Sequence, residues 1–361
     1  YTNYLNFYCE VGPVKWPKKI FSGIQPTGAL HLGNYMGAVS RWLDYQNANE
    51  DITLSIVDMH SITLPQDPAE LKYNTLQMIA SLIACGIDLQ KSTLFLQSQV
   101  PQHAELCWVL MCLTTMARLG HLPQYKEKSS KLKEIPLGLY VYPVLQAADI
   151  LLYKATHIPV GEDQVQHLQL AQDIVKTFNH RYGKTFPHPK AVVADDNSSR
   201  LKSLRDPTKK MSKSDPDPKS CIFLTDTPEL IREKMKKAIT DFTSELTYEP
   251  ETRPSITNLI IMHSLITKKS PEVLVEENKN VTTGEYKLVI AEDLINLLNP
   301  IREEMIRLMS HPEYLMKVIT EGSEKAMEVA EQTWIEIKDK VGLGGTDIIH
   351  DFKSQKKCTF K

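Results

Sequence analysis

Through the first hundred residues the apolar positions follow two patterns in turn: short, mainly apolar runs, and stretches spaced for one face of a helix. Ile20–Ile24 is a run that reads as a buried strand, and Gln25-Pro26-Thr27-Gly28 stops it with a turn in which Pro and Gly suit the bend. From Leu32 the apolar residues Leu32, Tyr35, Met36, Val39, Trp42 and Leu43 fall on one helical face. Thr53–Val57 predicts a second strand, ending in Asp58-Met59-His60. Pro68 opens a helix that runs through Leu71, Leu76, Ile79, Leu82 and Ile83 to a C-cap at Gly86. Ser92–Leu96 predicts a third strand. Strands alternating with helices make a parallel sheet joined by crossovers, and ligands of such sheets sit at the carboxyl ends of the strands. Gln25–Gly28, His60 and Gln97 fall there.

Residues 103–135 read as mainly helical and then charged, with Lys126, Lys128, Lys131 and Lys133 in an exposed stretch. A helix is predicted after Pro143, then a turn through Pro159. The next helix turns Val165, Leu168, Ala171, Ile174 and Val175 inward, and Ala191–Ala194 predicts the last strand. From about Pro228 the strand signal fades. Ile231–Ile239, Ile256–Leu265, Tyr286–Leu298, Ile301–Met309 and Ser323–Val341 read as helices, broken by Pro250, Pro254, Pro271, Pro300 and Pro312. In the last of them Ala326, Val329, Ala330, Thr333, Trp334 and Ile337 form a buried stripe. The expected organisation is an N-terminal extension over 1–19, an α/β domain over 20–218, a separate helical domain over 219–343 and a basic tail over 344–361.

A chain of 361 residues, 42% hydrophobic and 24% charged, is long enough for two domains with ordinary globular cores. The net charge of −2 argues against a generally basic nucleic-acid binder, so any RNA-binding surface must be local. The six cysteines are scattered, with no C-x-x-C pair and no His at zinc-finger spacing, which fits free thiols in a reducing compartment. No stretch approaches the ~18 apolar residues of a membrane span, so no membrane partner is expected. Residues 1–19 hold three lysines and one acid, Glu10, and no secretory core. They fit the remnant of an organellar targeting segment, although one without arginines, and equally a plain disordered extension.

Chemistry concentrates in Lys209-Lys210-Met211-Ser212-Lys213-Ser214. Three lysines within five residues, with small hydroxyls beside them, offer a polyphosphate both charge and hydrogen-bond donors. A Lys-Ser cluster alone is more often a solvated face. The balance changes with a second element about 180 residues upstream, Phe21-Ser22-Gly23-Ile24-Gln25-Pro26-Thr27-Gly28 followed by His31-Leu32-Gly33-Asn34. Gly33 opens a helix without a β-carbon, and a helix N-terminus favours phosphate. Between the two lies Asp149, inside an apolar helix, where an unpaired carboxylate is costly and a partner is required. An internal Arg or a helix cap is the plain structural reading of such a residue.

His31-Leu32-Gly33-Asn34 resembles the HIGH element of class I aminoacyl-tRNA synthetases, and Lys210-Met211-Ser212-Lys213-Ser214 is their KMSKS loop without substitution. Ala147-Ala148-Asp149-Ile150-Leu151-Leu152-Tyr153 and Gly161-Glu162-Asp163-Gln164 resemble the tryptophanyl-tRNA synthetases of bacterial and mitochondrial type. The likeness runs from about Ile20 to about Gly342. It implies a Rossmann-like parallel-sheet catalytic domain followed by an all-α anticodon-binding domain. The implied activity is that of a tryptophan–tRNA ligase, which activates L-tryptophan with ATP, releases pyrophosphate and transfers the tryptophanyl group to tRNA(Trp). A two-fold homodimer is implied as well.

Carried onto this chain, the resemblance has His31 and Asn34 donating to phosphate oxygens, with Asn34 standing where the general motif has a second His. Gln25, Pro26 and Thr27 match the ATP-contacting turn, and Gly33 lets the nucleotide lie close to the backbone. Gly161, Glu162 and Asp163 match a helix start whose acids suit ribose hydroxyls, with an N-cap by Asp163 as the bland reading. Leu201 matches a residue whose backbone meets adenine, and reads equally as core. Lys210, Met211, Ser212, Lys213 and Ser214 close over the triphosphate. Mg²⁺ accompanies ATP, held mostly by phosphate and water, because no dedicated carboxylate cage is visible. Asp149 accepts the indole N–H, and Phe21, His60, Gln124, Tyr142 and Val160 line the amino-acid pocket. Gln146 departs from the Met of many bacterial members. Arg232, Lys234, Lys236 and Lys237 offer a basic helix surface. The Gln146-Ala147-Ala148-Asp149 wording lies nearer mitochondrial members than eukaryotic cytosolic ones, which implies the mitochondrial matrix, with a bacterial cytoplasm as the alternative.

Three other readings compete. A tyrosyl-tRNA synthetase shares the fold, but the Asp149 and Gly161–Gln164 segments speak against a phenol pocket. A nucleotidyltransferase with a similar His-x-Gly element needs neither the helical half nor the intact lysine loop. A catalytically dead RNA-binding relative would not need both phosphate elements and Asp149.

Overall fold

The computed structural model describes residues 15–130, 132–193, 201–213 and 215–344. Ser214, Lys131, Ala194, most of the N-terminal extension and all but the first residue of the basic tail lie outside the described residues.

Among the described residues five strands form one parallel sheet in the order β3-β2-β1-β4-β5. They are β1 (Ile20–Ile24), β2 (Ile52–Ile56), β3 (Ser92–Leu96), β4 (His157–Pro159) and β5 (Lys190–Val192). Register is fixed by Ile20 beside Ile52, Ile52 beside Ser92, Ile20 beside His157 and His157 beside Lys190. The three apolar runs of the sequence are strands because both sheet faces are covered, so alternation is not needed.

After β1 the chain makes one continuous helical segment, α1 (Leu32–Asn34), a π-helical turn (Tyr35–Val39) and α2 (Ser40–Asn47). Leu32, Met36, Val39 and Trp42 are buried on its inner face, while Tyr35 and Leu43 are half-buried. α3 (Asp58–Ser61) follows β2, and α4 (Pro68–Ala84) runs to Gly86, whose φ of +105° lets the chain reverse. Then come α5 (Gln102–Met111), α6 (Met116–Gly120), α7 (Pro123–Ser129), α8 (Leu137–Leu152) and α9 (Val165–Tyr182). The helical half comprises α10 (Pro228–Lys236), α11 (Pro254–Thr267), α12 (Pro271–Glu277), α13 (Thr283–Met309) and α14 (Pro312–Val341).

Several boundaries differ from the sequence reading, and the prolines explain most of them. Pro254, Pro271 and Pro312 start helices rather than break them, since a missing N–H costs nothing in a first turn. Pro143 and Pro300 lie inside α8 and α13, so two expected helices merge into the single α13. Burial along α8, including Leu139, Tyr142, Val144 and Ala148, outweighs the hydrogen bond that Pro143 omits. The lysine-rich stretch expected to be exposed begins within α7. β4 and α12 were not anticipated.

The helical half does not stand apart from the sheet. α13 packs on α4, and α14 lies along β3. One hydrophobic core runs from Ile20, Ile52 and Leu94 through Met78 and Leu82 to Leu294 and Leu298; the other, on the opposite face, joins Phe95, Leu151 and Phe178 to Ala326, Ala330, Trp334 and Ile337. Val329, expected in that stripe, is 37% exposed. β3 is an edge strand, and α14 covers it closely: a β-carbon on Gly322 would meet the Leu94 carbonyl oxygen at 1.9 Å. Next to it, the Leu96 N–H donates to Ser323 Oγ at 3.2 Å.

Candidate active site

β1 and β4 are neighbours in the sheet, yet the chain leaves β1 toward β2 and β3 and returns on the other side through β4. Their carboxyl ends therefore flank the crevice expected at such a switch point. A cavity of about 650 Å³ opens there, walled by β1, the turn after it, α1, α8, the segment after β4 and the lysine loop. That is room for a nucleotide and a large amino acid together.

At one end stand the phosphate-suited elements. Asn34 N–H donates to His31 Nδ1 at 3.2 Å, and His31 N–H donates to Asn34 Oδ1 at 3.3 Å, a reciprocal cap on α1. With Nδ1 accepting, the neutral ring carries its proton on Nε2, a donor at the cavity wall. Gly33 is required by this cap, because a β-carbon there would lie 2.9 Å from His31 Cε1. Burial first, and then the charges of Lys213 and Lys210, hold the His31 pKa down to about 4. The ring is therefore a neutral donor at physiological pH.

The lysine loop rises from a short ladder in which Ser203 N–H donates to the Lys209 carbonyl at 3.0 Å and Met211 N–H to the Leu201 carbonyl at 3.0 Å. From this base Lys213 reaches across the cavity. Its Nζ donates to Thr27 O at 2.7 Å and to Thr27 Oγ1 at 2.6 Å, tying the loop to the turn after β1. Gly28 has φ of +92°, the left-handed region that this turn needs. Burial lowers the Lys213 pKa from its ordinary value.

At the other end, Asp149 on α8 is 2% exposed and accepts three internal hydrogen bonds. Gln97 Nε2 donates to Oδ1 at 2.7 Å, His103 Nδ1 meets Oδ1 at 2.6 Å, and His60 Nε2 meets Oδ2 at 2.8 Å. Tyr153 Oη lies 2.9 Å from His103 Nε2, and on the other side of the ring the imidazole donates from Nδ1 into the carboxylate. Burial pushes the Asp149 pKa up, but the hydrogen bonds from His103 and His60 outweigh it and hold the carboxyl well below the usual range. The same burial, with the Asp149 charge, raises the Tyr153 pKa and takes the Cys107 thiol up to about 12.

The partner expected for Asp149 was a substrate indole N–H, with an internal Arg or a helix cap as the plain alternative. Instead three side chains already satisfy most of it, and a carboxylate with about four acceptor positions keeps one on Oδ2. Gln97, His103 and Tyr153 were not anticipated as site residues. Gln97, just past β3, and His103, on α5, bond Asp149 directly, while Tyr153, just past α8, reaches it through His103. Gln97 lay at the end of a predicted strand and Tyr153 within the Ala147–Tyr153 motif, but neither was given a role, and His103 carried no signal.

Between the two ends a polar chain crosses the rim. Tyr142 Oη donates to Gln124 Oε1 at 2.8 Å, and Gln124 Nε2 donates to Asp163 Oδ2 at 2.8 Å and to its carbonyl at 3.1 Å. Gln164 Nε2 donates to Asp163 Oδ2 at 2.6 Å. His167 Nδ1 lies 3.1 Å from Gln146 Oε1 and 3.0 Å from Gln164 Oε1. Gln146 therefore joins a half-buried polar wall, together with Gln164 of the Gly161–Gln164 motif and the unanticipated His167.

Of the residues singled out from sequence, Phe21, Gln25, Thr27, His31, Gly33, Asn34, His60, Gln124, Tyr142, Asp149, Val160, Gly161, Glu162, Asp163, Lys210, Met211, Ser212 and Lys213 line this one cavity. Pro26 is buried behind the turn and Leu201 sits in the core, so neither side chain reaches the wall. The basic surface read on α10 is largely neutralised: Arg232 pairs with Glu292, Lys237 with Glu233, and Lys234 is buried against Asp226.

A five-stranded parallel sheet, a capped histidine and a lysine loop on one cavity define a class, and the family model for tRNA synthetases class I (W and Y) matches residues 15–299. The tryptophan–tRNA ligase of Wolinella succinogenes is 44% identical over 327 residues, 90% of this chain and 99% of that protein. A mitochondrial tryptophan–tRNA ligase of Caenorhabditis elegans is 45% identical over 334 residues, 91% of this chain and 92% of that protein. Among solved structures, tryptophanyl-tRNA synthetase from Campylobacter jejuni, complexed with ADP and tryptophan, superposes with a TM-score of 0.79 at 31% identity, covering 90% of this chain and all of that one. The chain belongs to the tryptophan–tRNA ligase family and is an aminoacyl-tRNA synthetase.

Proposed function

We propose that the cavity holds ATP between His31 and the lysine loop and L-tryptophan against Asp149, so that the tryptophan carboxylate meets the α-phosphate between them. The carboxylate oxygen attacks phosphorus, the bond to the β-phosphate oxygen breaks, and pyrophosphate leaves with that electron pair. The terminal ribose hydroxyl of tRNA(Trp) then attacks the tryptophanyl carbonyl and AMP leaves. Both nucleophiles belong to substrates, so the protein contributes position and charge. His31 Nε2–H and Asn34 donate to phosphate oxygens, while Lys213 exchanges Thr27 for the triphosphate and Lys210 adds charge. Glu162 and Asp163 accept from the ribose. Mg²⁺ enters with the nucleotide and is held by phosphate and water, since among the described residues no three His, Cys, Asp or Glu side chains converge as a metal cage.

The observation that carries this reading is the Asp149 cage. It keeps a buried carboxylate ionised with one acceptor position left over, beside Phe21 and His60. An indole N–H fits that position, and phenylalanine would leave it unsatisfied. Tryptophan-dependent ATP–pyrophosphate exchange tests it, with tyrosine and phenylalanine as controls. Exchange with tryptophan alone, lost in Asp149→Ala, supports the reading; exchange that persists in that variant, or none with any amino acid from folded protein, sinks it.

The helices α10 to α14 supply the anticodon-reading part in this proposal, and the active species is a homodimer. Trp108 (65% exposed), Met116 (76%) and Leu137 (73%) support the dimer, because α5, α6 and the start of α8 adjoin one another and leave these apolar side chains uncovered. Light scattering of the purified chain decides between monomer and dimer. The work is done in mitochondrial translation, a reading supported by the Caenorhabditis elegans relative and opposed by the equally similar bacterial ones. Cell fractionation of the full-length product separates the two.

A further inference from the structure

Both phosphate-facing elements stand on one strip of backbone, Ser220–Leu224. Leu32 N–H donates to the Ile222 carbonyl at 2.8 Å and Leu224 N–H to the Leu30 carbonyl at 2.9 Å, so that His31 bridges Phe223 in antiparallel fashion. The same strip follows the lysine loop directly, and Leu204 N–H, below the loop's base, donates to the Ser220 carbonyl at 2.9 Å. The strip belongs to no regular strand, so its other edge needs separate support.

That support is one buried cation. Lys234 on α10 is 3% exposed and Asp226 6% exposed. Lys234 Nζ donates to Asp226 Oδ2 at 2.6 Å and to the Cys221 carbonyl at 2.9 Å, and it lies 5.0 Å from the centre of the Phe223 ring. Asp226 Oδ2 also accepts from Phe223 N–H at 2.9 Å. The ammonium and the carboxylate thus hold both ends of the tract that carries His31. A charge pair this deep gains little net stability over an apolar pair, and its directional bonds serve geometry better than energy.

We propose that Lys234 and Asp226 are positioning residues for adenylate formation: they set His31 relative to Lys210 and Lys213, and they do so from the helical half of the molecule. The pair touches neither the cavity wall nor the Asp149 cage, so its effect falls on the ATP side alone. The inference rests on the role given to His31 above.

The test is ATP–pyrophosphate exchange and tryptophan binding for Lys234→Met, Asp226→Asn, the double variant, and Lys234→Met combined with His31→Ala. Misplacement of a catalytic donor by an ångström costs about a hundredfold at most. Lys234→Met is expected to lower kcat or raise the KM for ATP by about tenfold or more, with tryptophan affinity within twofold of wild type. The double variant is expected to be no worse than the poorer single one, because neither charge is then left alone. In the His31→Ala background Lys234→Met should add little. Wild-type ATP kinetics in Lys234→Met, parallel losses of ATP and tryptophan binding, or full additivity with His31→Ala would each overturn the clamp. Should Lys234→Met not fold, the milder Asp226→Asn carries the same comparison. His31→Ala alone with unchanged kinetics would instead refute the role of His31, leaving a distinct signature.

Discussion

Gly322 is the point where the helical half rests on the catalytic sheet, and Gly322→Ala tests that contact directly. The added carbon would sit 1.9 Å from the Leu94 carbonyl oxygen and 3.0 Å from its carbon, both backbone atoms of an edge strand that cannot swing aside. Ordinary contact requires a separation of 3.4 Å or more, so α14 must lift from β3 by more than an ångström. Such overpacking costs about 1–3 kcal/mol. The lift also stretches the bond from Leu96 N–H to Ser323 Oγ, worth about 1 kcal/mol. Against this, alanine is a better helix former than glycine by about 1 kcal/mol. The balance is a loss of about 1–3 kcal/mol, read as a lower urea midpoint. Gly284→Ala is the control, because its new carbon would meet nothing nearer than Thr282 Oγ1 at 4.0 Å; it should be neutral or stabilising. Gly322→Ala at or above wild-type stability would refute the packing described here.

Three further outcomes follow from the site. Asp149→Asn turns one donor-facing oxygen into an N–H₂ group among His60, Gln97 and His103. It should lower stability by about 3–5 kcal/mol and kcat/KM for tryptophan on the order of a hundredfold, measured by denaturation and pyrophosphate exchange. Because the folded pKa of Asp149 lies below its unfolded value, its contribution is present above about pH 4 and fades as pH falls; acid titration of stability should therefore be flatter in Asp149→Asn. His31 should titrate near pH 4 by NMR in the free protein, and Lys213→Met should move that midpoint up toward the ordinary value. With its folded pKa depressed, His31 contributes stability above about pH 6.5 that is lost as pH falls toward 4.

How much of this was legible beforehand depends on whether the determining contacts are local. Ile20–Ile24 and Ser92–Leu96 announce themselves because a strand covered on both faces carries apolar residues at consecutive positions, Ile20-Phe21 and Leu94-Phe95-Leu96. β4 does not: His157–Pro159 is three residues long, contains a proline, and is a strand only because β1 and β5 flank it. Pro143 suggested a helix start, yet α8 runs through it because burial along the helix dominates. The end of the cavity proposed to hold ATP was readable because each of its elements is a contiguous segment with its own turn or cap chemistry. The cage around Asp149 was not, since its donors lie 89, 52 and 46 residues away on separate elements. Burial required that some partner exist, and only the fold decides which.

The two ends of the cavity are built on different physical terms, which follows from what each must hold. At the Asp149 end charge is fixed: one anion is surrounded by donors that are held in turn by Tyr153 and by the backbone, as when Met59 N–H donates to Gln97 Oε1 at 3.1 Å and so orients its amide. Discrimination between amino acids needs such rigidity, because a cage that could rearrange would satisfy itself around the wrong side chain. At the other end charge is transferable. Lys213 is satisfied by two oxygens of Thr27, neutral acceptors that a triphosphate can replace with anionic ones, and charge-assisted bonds are the stronger kind. The loop tip can exchange partners while the ladder from Leu201 to Met211 stays in place. A movable cation therefore needs a fixed base, and the strip from Ser220 to Leu224, shared with His31, is where the described structure provides one.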